Sequence, residues 1–206
     1  MVGTILTVAV PTIPGRESLL SRCLFSLVGQ APGSVEILVV DGDGRLGDKA
    51  NHAARVCAGE YMTVVDDDDW VAADYMAAVL PELEDFQPDY VGLKVLELDA
   101  GRFSTITATS AEWPRWGRDG RRGPVPKGIT RTSIWRQCPF GNEWKADRLW
   151  RAEVSARVRS WRFVYRCLYV YDAWPDASAF IGQGTRDVGV WPYDESTVTR
   201  LRVDRN

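Results

Sequence analysis

Histidine is almost missing from this sequence, and cysteine is sparse and scattered. The one histidine, His52, reads as a packing or surface residue rather than a catalytic one. Cys23, Cys57, Cys138 and Cys167 form neither a CxxC pair nor a Cys/His cluster. That excludes a zinc or disulfide framework and fits reduced packing residues of a cytoplasmic protein. No apolar run is long enough to span a bilayer. The opening MVGTILTVAVPT lacks a basic leader and a small-residue cleavage site, so no secretory signal is read there. Internal repeats and low-complexity tracts are absent. A large net charge is absent too, at −3 over 206 residues of which 45% are hydrophobic. What remains is one globular domain with a substantial core.

The small net charge conceals an uneven distribution. Up to Ala111 the acidic residues outnumber the basic ones, and from Glu112 onward the balance reverses, with eight of the nine tryptophans in this second part. A cation suits the first half, and an anionic or sugar-like group suits the second.

Apolar periodicity supplies the elements. Ile5–Val10, Val35–Val40 and Tyr61–Val65 are continuous apolar runs that read as buried strands. Ser18–Val28, Lys49–Ala58 and Asp74–Leu83 read as helices between and after them. This order predicts an α/β protein with a doubly wound, mostly parallel sheet and flanking helices. Further on, Tyr90–Leu98, Thr105–Thr109 and Arg162–Tyr171 read as strands, Ala146–Val158 as a helix, and Glu112–Gly128 as a long irregular loop. The polar tail from Gly182 is read as partly ordered or packed back on the core.

Open α/β sheets bind ligands beyond the carboxyl ends of their strands. Those ends are Pro11–Thr12, Asp41 and the stretch YMTVVDDDDW, in which Asp66, Asp67, Asp68 and Asp69 stand side by side. Adjacent carboxylates disfavour one another's ionisation. Where a buried strand emerges, a hard divalent cation relieves that repulsion; on a loop tip the same residues would be a solvated turn.

Four stretches in this order are VAVPTIPGRESLLSRCLFSL, VEILVVDGDG, GDKANHAARVCAGEY and MTVVDDDDW. Together they resemble the GT-A glycosyltransferases, in particular glycosyltransferase family 2 in its small bacterial or phage-type members. The likeness runs from about Thr4 to Tyr75 and resumes more weakly around Gly123–Ser178. It implies a single GT-A (Rossmann-like) domain over 1–206. Within it, 1–100 would be the half that binds nucleotide-sugar and metal, 101–180 the acceptor-side half, and 181–206 a tail.

Carried over by residue, the resemblance implies that Pro11 and Thr12 line the nucleotide pocket and that Asp41 bonds the base. Gly42 stands where the family usually has a second acid, and Asp43 follows. Lys49 and Asn51 would flank the nucleotide or its phosphates. Asp66 and Asp68 would form the DxD pair, Asp66 near the ribose and Asp68 on Mn²⁺ or Mg²⁺, with Asp67 as a further nucleotide-sugar contact.

In PFGNEWKADRLWRAEV the family's Glu-Asp segment is reduced to Ala146-Asp147. Asp147 would be the general base of an inverting displacement, and Glu143 the alternative. GPVPKGITRTSIW resembles an acceptor-side segment and LYVYDAWPDAS a late strand, here without the histidine found in many members. Trp70, Trp113 and Trp116 are candidates for stacking on a sugar or base, because loops carry function.

The implied activity is metal-dependent, inverting transfer of a sugar from a nucleoside-diphosphate sugar, a UDP-sugar foremost, to an acceptor hydroxyl. The acceptor is open between a glycan, a protein and, on the interleaved Arg and aromatic residues, a nucleic acid. Two other functions stay in view. A non-catalytic nucleotide-sugar or divalent-ion binding module would keep the aspartates without a working base, and Ala146 favours it. A nucleotidyltransferase would need a glycine-rich basic loop after the first strand, and PTIPGRES matches that poorly.

Overall fold

Strands β1 (Leu6–Pro11) and β2 (Val35–Val40) are buried along their whole length, which is why they read as unbroken apolar runs. Side chains alternate between two cores. Leu6, Val8, Val10, Ile37 and Val39 face α1 (Glu17–Val28) and α3 (Tyr75–Phe86). Ala9, Leu38 and Val40 face α2 (Leu46–Val56), α4 (Thr132–Gln137) and α5 (Ala146–Arg157). The computed structural model describes residues 3–112, 120–142, 146–173 and 197–201.

β1 lies between β2 and β3 (Tyr61–Val64), parallel to both. Beyond β3 the sheet becomes mixed. β8 (Ile129–Arg131) runs antiparallel to β3 and to β5 (Tyr90–Asp99), and so joins the two parts of the sheet. β6 (Arg102–Thr109) returns antiparallel along β5 through a tight turn at Ala100 and Gly101, both at positive φ, as a two-residue hairpin turn requires. β7 (Arg121–Arg122) adds a short parallel edge to β6. On the other side of β5, β9 (Trp161–Ala173) runs parallel from Tyr90 to Asp99 and also pairs with β4 (Trp70–Val71).

β10 (Val198–Leu201) closes the opposite edge, antiparallel to β2. Its Arg200 reaches the fully buried Glu36 at 2.5 Å, and Thr7 Oγ1 donates to the same carboxylate at 2.7 Å. Burying that charge inside β2 is tolerated because both of its oxygens are bonded. No helix among the described residues is long and apolar enough to cross a membrane.

Candidate active site

The parallel register of β1 and β3 carries the turn after Pro11 alongside the residues that follow Val64. Thr12 Oγ1 therefore donates to Asp67 at 2.7 Å. Arg16, in the loop before α1, bonds Asp67 at 3.1 Å and Asp68 at 2.5 Å. Lys127, on the segment leading into β8, bonds Asp66 at 3.0 Å and Asp69 at 2.6 Å. The four adjacent carboxylates are thus split into two pairs, each bridged by one cation of the chain. That division answers their mutual repulsion.

Burial dominates the titration of the inner two. It pushes Asp67 up to about 6 against the Thr12 hydrogen bond and Arg16, and Asp69 up to about 6 against Lys127. Burial works against the Lys127 ammonium as well, yet Asp66 and Asp69 together hold it above the ordinary lysine range. The Tyr169 hydroxyl donates to Asp69 at 2.6 Å and accepts from the Lys127 ammonium at 2.9 Å. Burial, then the charges of Asp69 and Asp66, raises that phenol well above its usual value.

Asp66 and Lys127 form part of the wall of a cavity of about 410 Å³, and Asp147 belongs to the same lining, together with Glu97, Arg122 and Tyr171. Asp147 sits in the first turn of α5, where a carboxylate is favoured by the helix dipole. Its side chain is 38% exposed, and Arg151, one turn on, bonds it at 3.2 Å. Arg151 also donates to the Pro124 carbonyl at 3.3 Å, tying the helix to the segment before Lys127. Behind Asp147, Trp150 packs on Trp135 and Phe140 with ring centroids 4.5 and 6.2 Å apart.

The remaining sequence candidates are placed as follows. Pro11 closes β1 opposite Val40, and Thr12 is buried. Asp41, exposed at the end of β2, accepts a hydrogen bond from the Gly42 N–H at 2.6 Å, and its own N–H donates to the Thr197 carbonyl at 3.0 Å. Asn51 exchanges two bonds with the Phe140 backbone at 2.9 and 2.8 Å and does not line the cavity. Trp70 lies in β4 with the Arg22 guanidinium 4.3 Å over its ring, and it too is outside the cavity wall. Glu143, Trp113 and Trp116 lie outside the described residues.

Lys49 is buried and donates to the Thr12 carbonyl. Burial pushes its ammonium down to about 8, with Asp41 and Asp67 opposing. An unfolded lysine keeps its proton to about 10.5. Between those values the unfolded chain binds more protons, so this group's contribution to stability rises with pH. The thermal midpoint of the wild type minus that of Lys49→Met should climb from pH 8 to about 10.5 and stay level below it. A level difference throughout would remove the burial cost assigned to Lys49.

Arg16, Lys127, Tyr169 and Tyr171 were not among the sequence candidates. Arg16 carries a local signal, a basic residue just after the first strand. Lys127 and Tyr169 carry none, because they meet Asp66 across 61 and 103 residues of chain.

Among the described residues no three acidic, histidine or cysteine side chains converge as a metal cage. Mg²⁺ and ions like it are held by one or two carboxylates plus substrate phosphates rather than by all-protein cages. Asp66 and Asp68, 28% and 18% exposed, offer that kind of oxygen donor set. The residues fit a divalent cation that arrives with a phosphate ligand.

Residues 43–133 match the profile of Glycosyl transferase family 2. The fold is similar to that of Staphylococcus aureus TarS 1–349, with a TM-score of 0.67 at 18% identity, over 82% of this chain and 60% of that one. The same protein in complex with UDP gives 0.67 at 16% identity, over 90% and 67%. The mannosyltransferase PcManGT from Pyrobaculum calidifontis, in complex with GDP-Man and Mn²⁺, gives 0.55 at 16% identity, over 80% and 56%. The chain thus spans about 60% of the length of TarS 1–349. No curated protein sequence matches it significantly.

Proposed function

From a GT-A fold of the glycosyltransferase family 2 type, we propose that this protein transfers a sugar from a nucleoside-diphosphate sugar to an acceptor hydroxyl, with inversion and with a divalent cation. The observation that carries the reading is one cavity with Asp66 and Lys127 in its wall together with Asp147. The donor diphosphate takes the side of the aspartate cluster, and the acceptor takes the side of α5. The first hundred residues then supply the aspartates of the donor side, Lys127 joins them from the later part of the chain, and α5 serves the acceptor.

Asp147 accepts the proton of the acceptor hydroxyl as its oxygen bonds to the anomeric carbon. The bond from that carbon to the diphosphate breaks, and the diphosphate leaves with the electron pair. Arg151 fixes the Asp147 carboxylate through their 3.2 Å contact, so the base keeps one orientation. Arg16 orients Asp67 and Asp68, and Thr12 bonds Asp67; Asp68 and Asp66 would hold Mn²⁺ or Mg²⁺. Bound there, a divalent cation would supply stabilisation for the charge that builds on the leaving diphosphate. The similarity to folds seen with UDP-GlcNAc and with GDP-Man supports UDP and GDP as the first donors to try. Four free cysteines support action in the cytoplasm.

A thermal-shift series of UDP, GDP, CDP and TDP and their sugars, each with Mn²⁺ and with EDTA, tests the reading. A ligand at ~100 times its Kd adds about 2.7 kcal/mol, which raises the midpoint by several degrees in a chain of this size. One nucleotide should do so, and only with metal. In Asp68→Ala the metal-dependent part should vanish. No shift from any of them would overturn the donor assignment.

A further inference from the structure

The three N–H bonds of the Lys127 ammonium all end on oxygen: Asp66 Oδ2 at 3.0 Å, Asp69 Oδ2 at 2.6 Å and the Tyr169 hydroxyl at 2.9 Å. The rings of Tyr169 and Tyr171 flank it at 4.3 and 4.8 Å. These partners are not equivalent. Asp69 and Tyr169 are fully buried, whereas Asp66 is on the cavity wall and partly exposed. The bond to Asp66 is therefore the one an incoming ligand can reach, and Lys127 itself lines the same cavity.

Two demands meet at Asp66. In the ligand-free protein its charge is answered by the Lys127 ammonium. A divalent cation entering on the same carboxylate comes up against a like charge, which disfavours it. A diphosphate arriving with that cation restores the balance, because its anionic oxygens replace the Asp66 carboxylate as a charge-assisted acceptor for the ammonium.

We infer that Lys127 is a resident counter-ion that changes partner when the donor binds. It gives up Asp66 to the divalent cation and turns the freed N–H onto the diphosphate, while Asp69 and Tyr169 keep its nitrogen in place. Lys127 thereby opposes bare metal and favours metal that comes with a nucleoside diphosphate. The inference rests on the donor reading above and adds to it a residue that grips the leaving group.

Opposite changes in two affinities identify the exchange. In Lys127→Gln, Mn²⁺ alone, titrated by the loss of its free-ion paramagnetic resonance signal, should bind on the order of tenfold more tightly. In the same variant, UDP or GDP in the presence of saturating Mn²⁺ should bind on the order of tenfold more weakly by calorimetry. Lys127→Arg, which keeps the cation, should leave bare Mn²⁺ binding weak. Loss of Lys127 leaves the buried Asp69 without its counter-charge, so Asp69→Asn/Lys127→Gln is made alongside. Removing both partners of a buried pair is milder than removing one, and the double variant should show the same two opposite changes.

If both affinities fall together, or neither moves, Lys127 is only structural and the inference is overturned while the donor reading stands. If wild-type protein binds neither UDP nor GDP with Mn²⁺, the donor reading fails and takes the inference with it.

Discussion

Replacing Asp147 with asparagine should lower turnover by roughly 10²–10⁴-fold, the usual contribution of a positioned general base, and leave nucleotide affinity unchanged. Asparagine has the shape of aspartate and keeps a side-chain oxygen in the first turn of α5. What it loses is the ability to take a proton. The charge partner left behind, Arg151, still donates to the Pro124 carbonyl, so the helix keeps its tie to the cavity wall. Asp147 is well away from full burial, and the change should cost little stability. The expected signature is a fall in kcat with nucleotide binding intact, which marks an interaction made only in the transition state. Steady-state transfer assays paired with calorimetry on the same protein read both quantities. Unchanged turnover would remove Asp147 as the base and pass that role to another carboxylate.

Trp150→Ala should be the most damaging single change to stability, at about 3–5 kcal/mol. Trp150 is 1% exposed and joins α5 to Trp135 of α4 and to Phe140. Its loss opens a void where three segments meet, and the Phe140 backbone beside it is pinned by Asn51. For a chain of this size each kcal/mol moves the midpoint by about 2–4 °C, so the melting temperature should drop by roughly 6–20 °C. Urea or thermal unfolding followed by tryptophan emission and by circular dichroism measures it. A loss below about 1 kcal/mol would mean that α5 collapses into the gap, and Asp147 should then shift with it. Trp150 also links packing to chemistry, since it stands less than one turn from the carboxylate it supports.

The parts of the fold that were legible in the sequence are those whose environment is uniform along the element. Val35–Val40 reads as a strand because every residue is covered on both faces, and the structure has it at the same bounds. α2 was read from Lys49 but begins at Leu46. A side chain at Gly47 would run into the backbone carbonyls of Gly141 and Phe140. It is glycine because another loop crosses that helix turn closely, a reason that lies nearly a hundred residues away.

The candidate site divides in the same manner. Asp66 follows from the strand that it ends and Asp147 from the family resemblance, and both line the cavity. Asn51 came from a local pattern too, but the Phe140 backbone uses both ends of its amide. Trp70 reads as a loop aromatic in the sequence, and its pairing with Val170 makes it a strand residue instead. Nothing in GPVPKG announces the two carboxylates that Lys127 meets at the end of β3. Mixed strands have a similar cause: β8 is only three residues long, too short for periodicity to register, and it alone turns the middle of the sheet antiparallel.

The closure of β2 by β10 has a consequence for the making of the protein. Glu36 and its partner Arg200 are 164 residues apart. At ordinary translation rates roughly 8–30 s pass between them on the ribosome. During that interval one edge of Val35–Val40 is bare, six apolar-rich residues long and ready to pair with a neighbouring chain. A nascent chain in a crowded polysome is therefore open to mispairing at this edge until β10 emerges. Slowing synthesis between β2 and β10 lengthens that exposure and should lower the yield of folded protein.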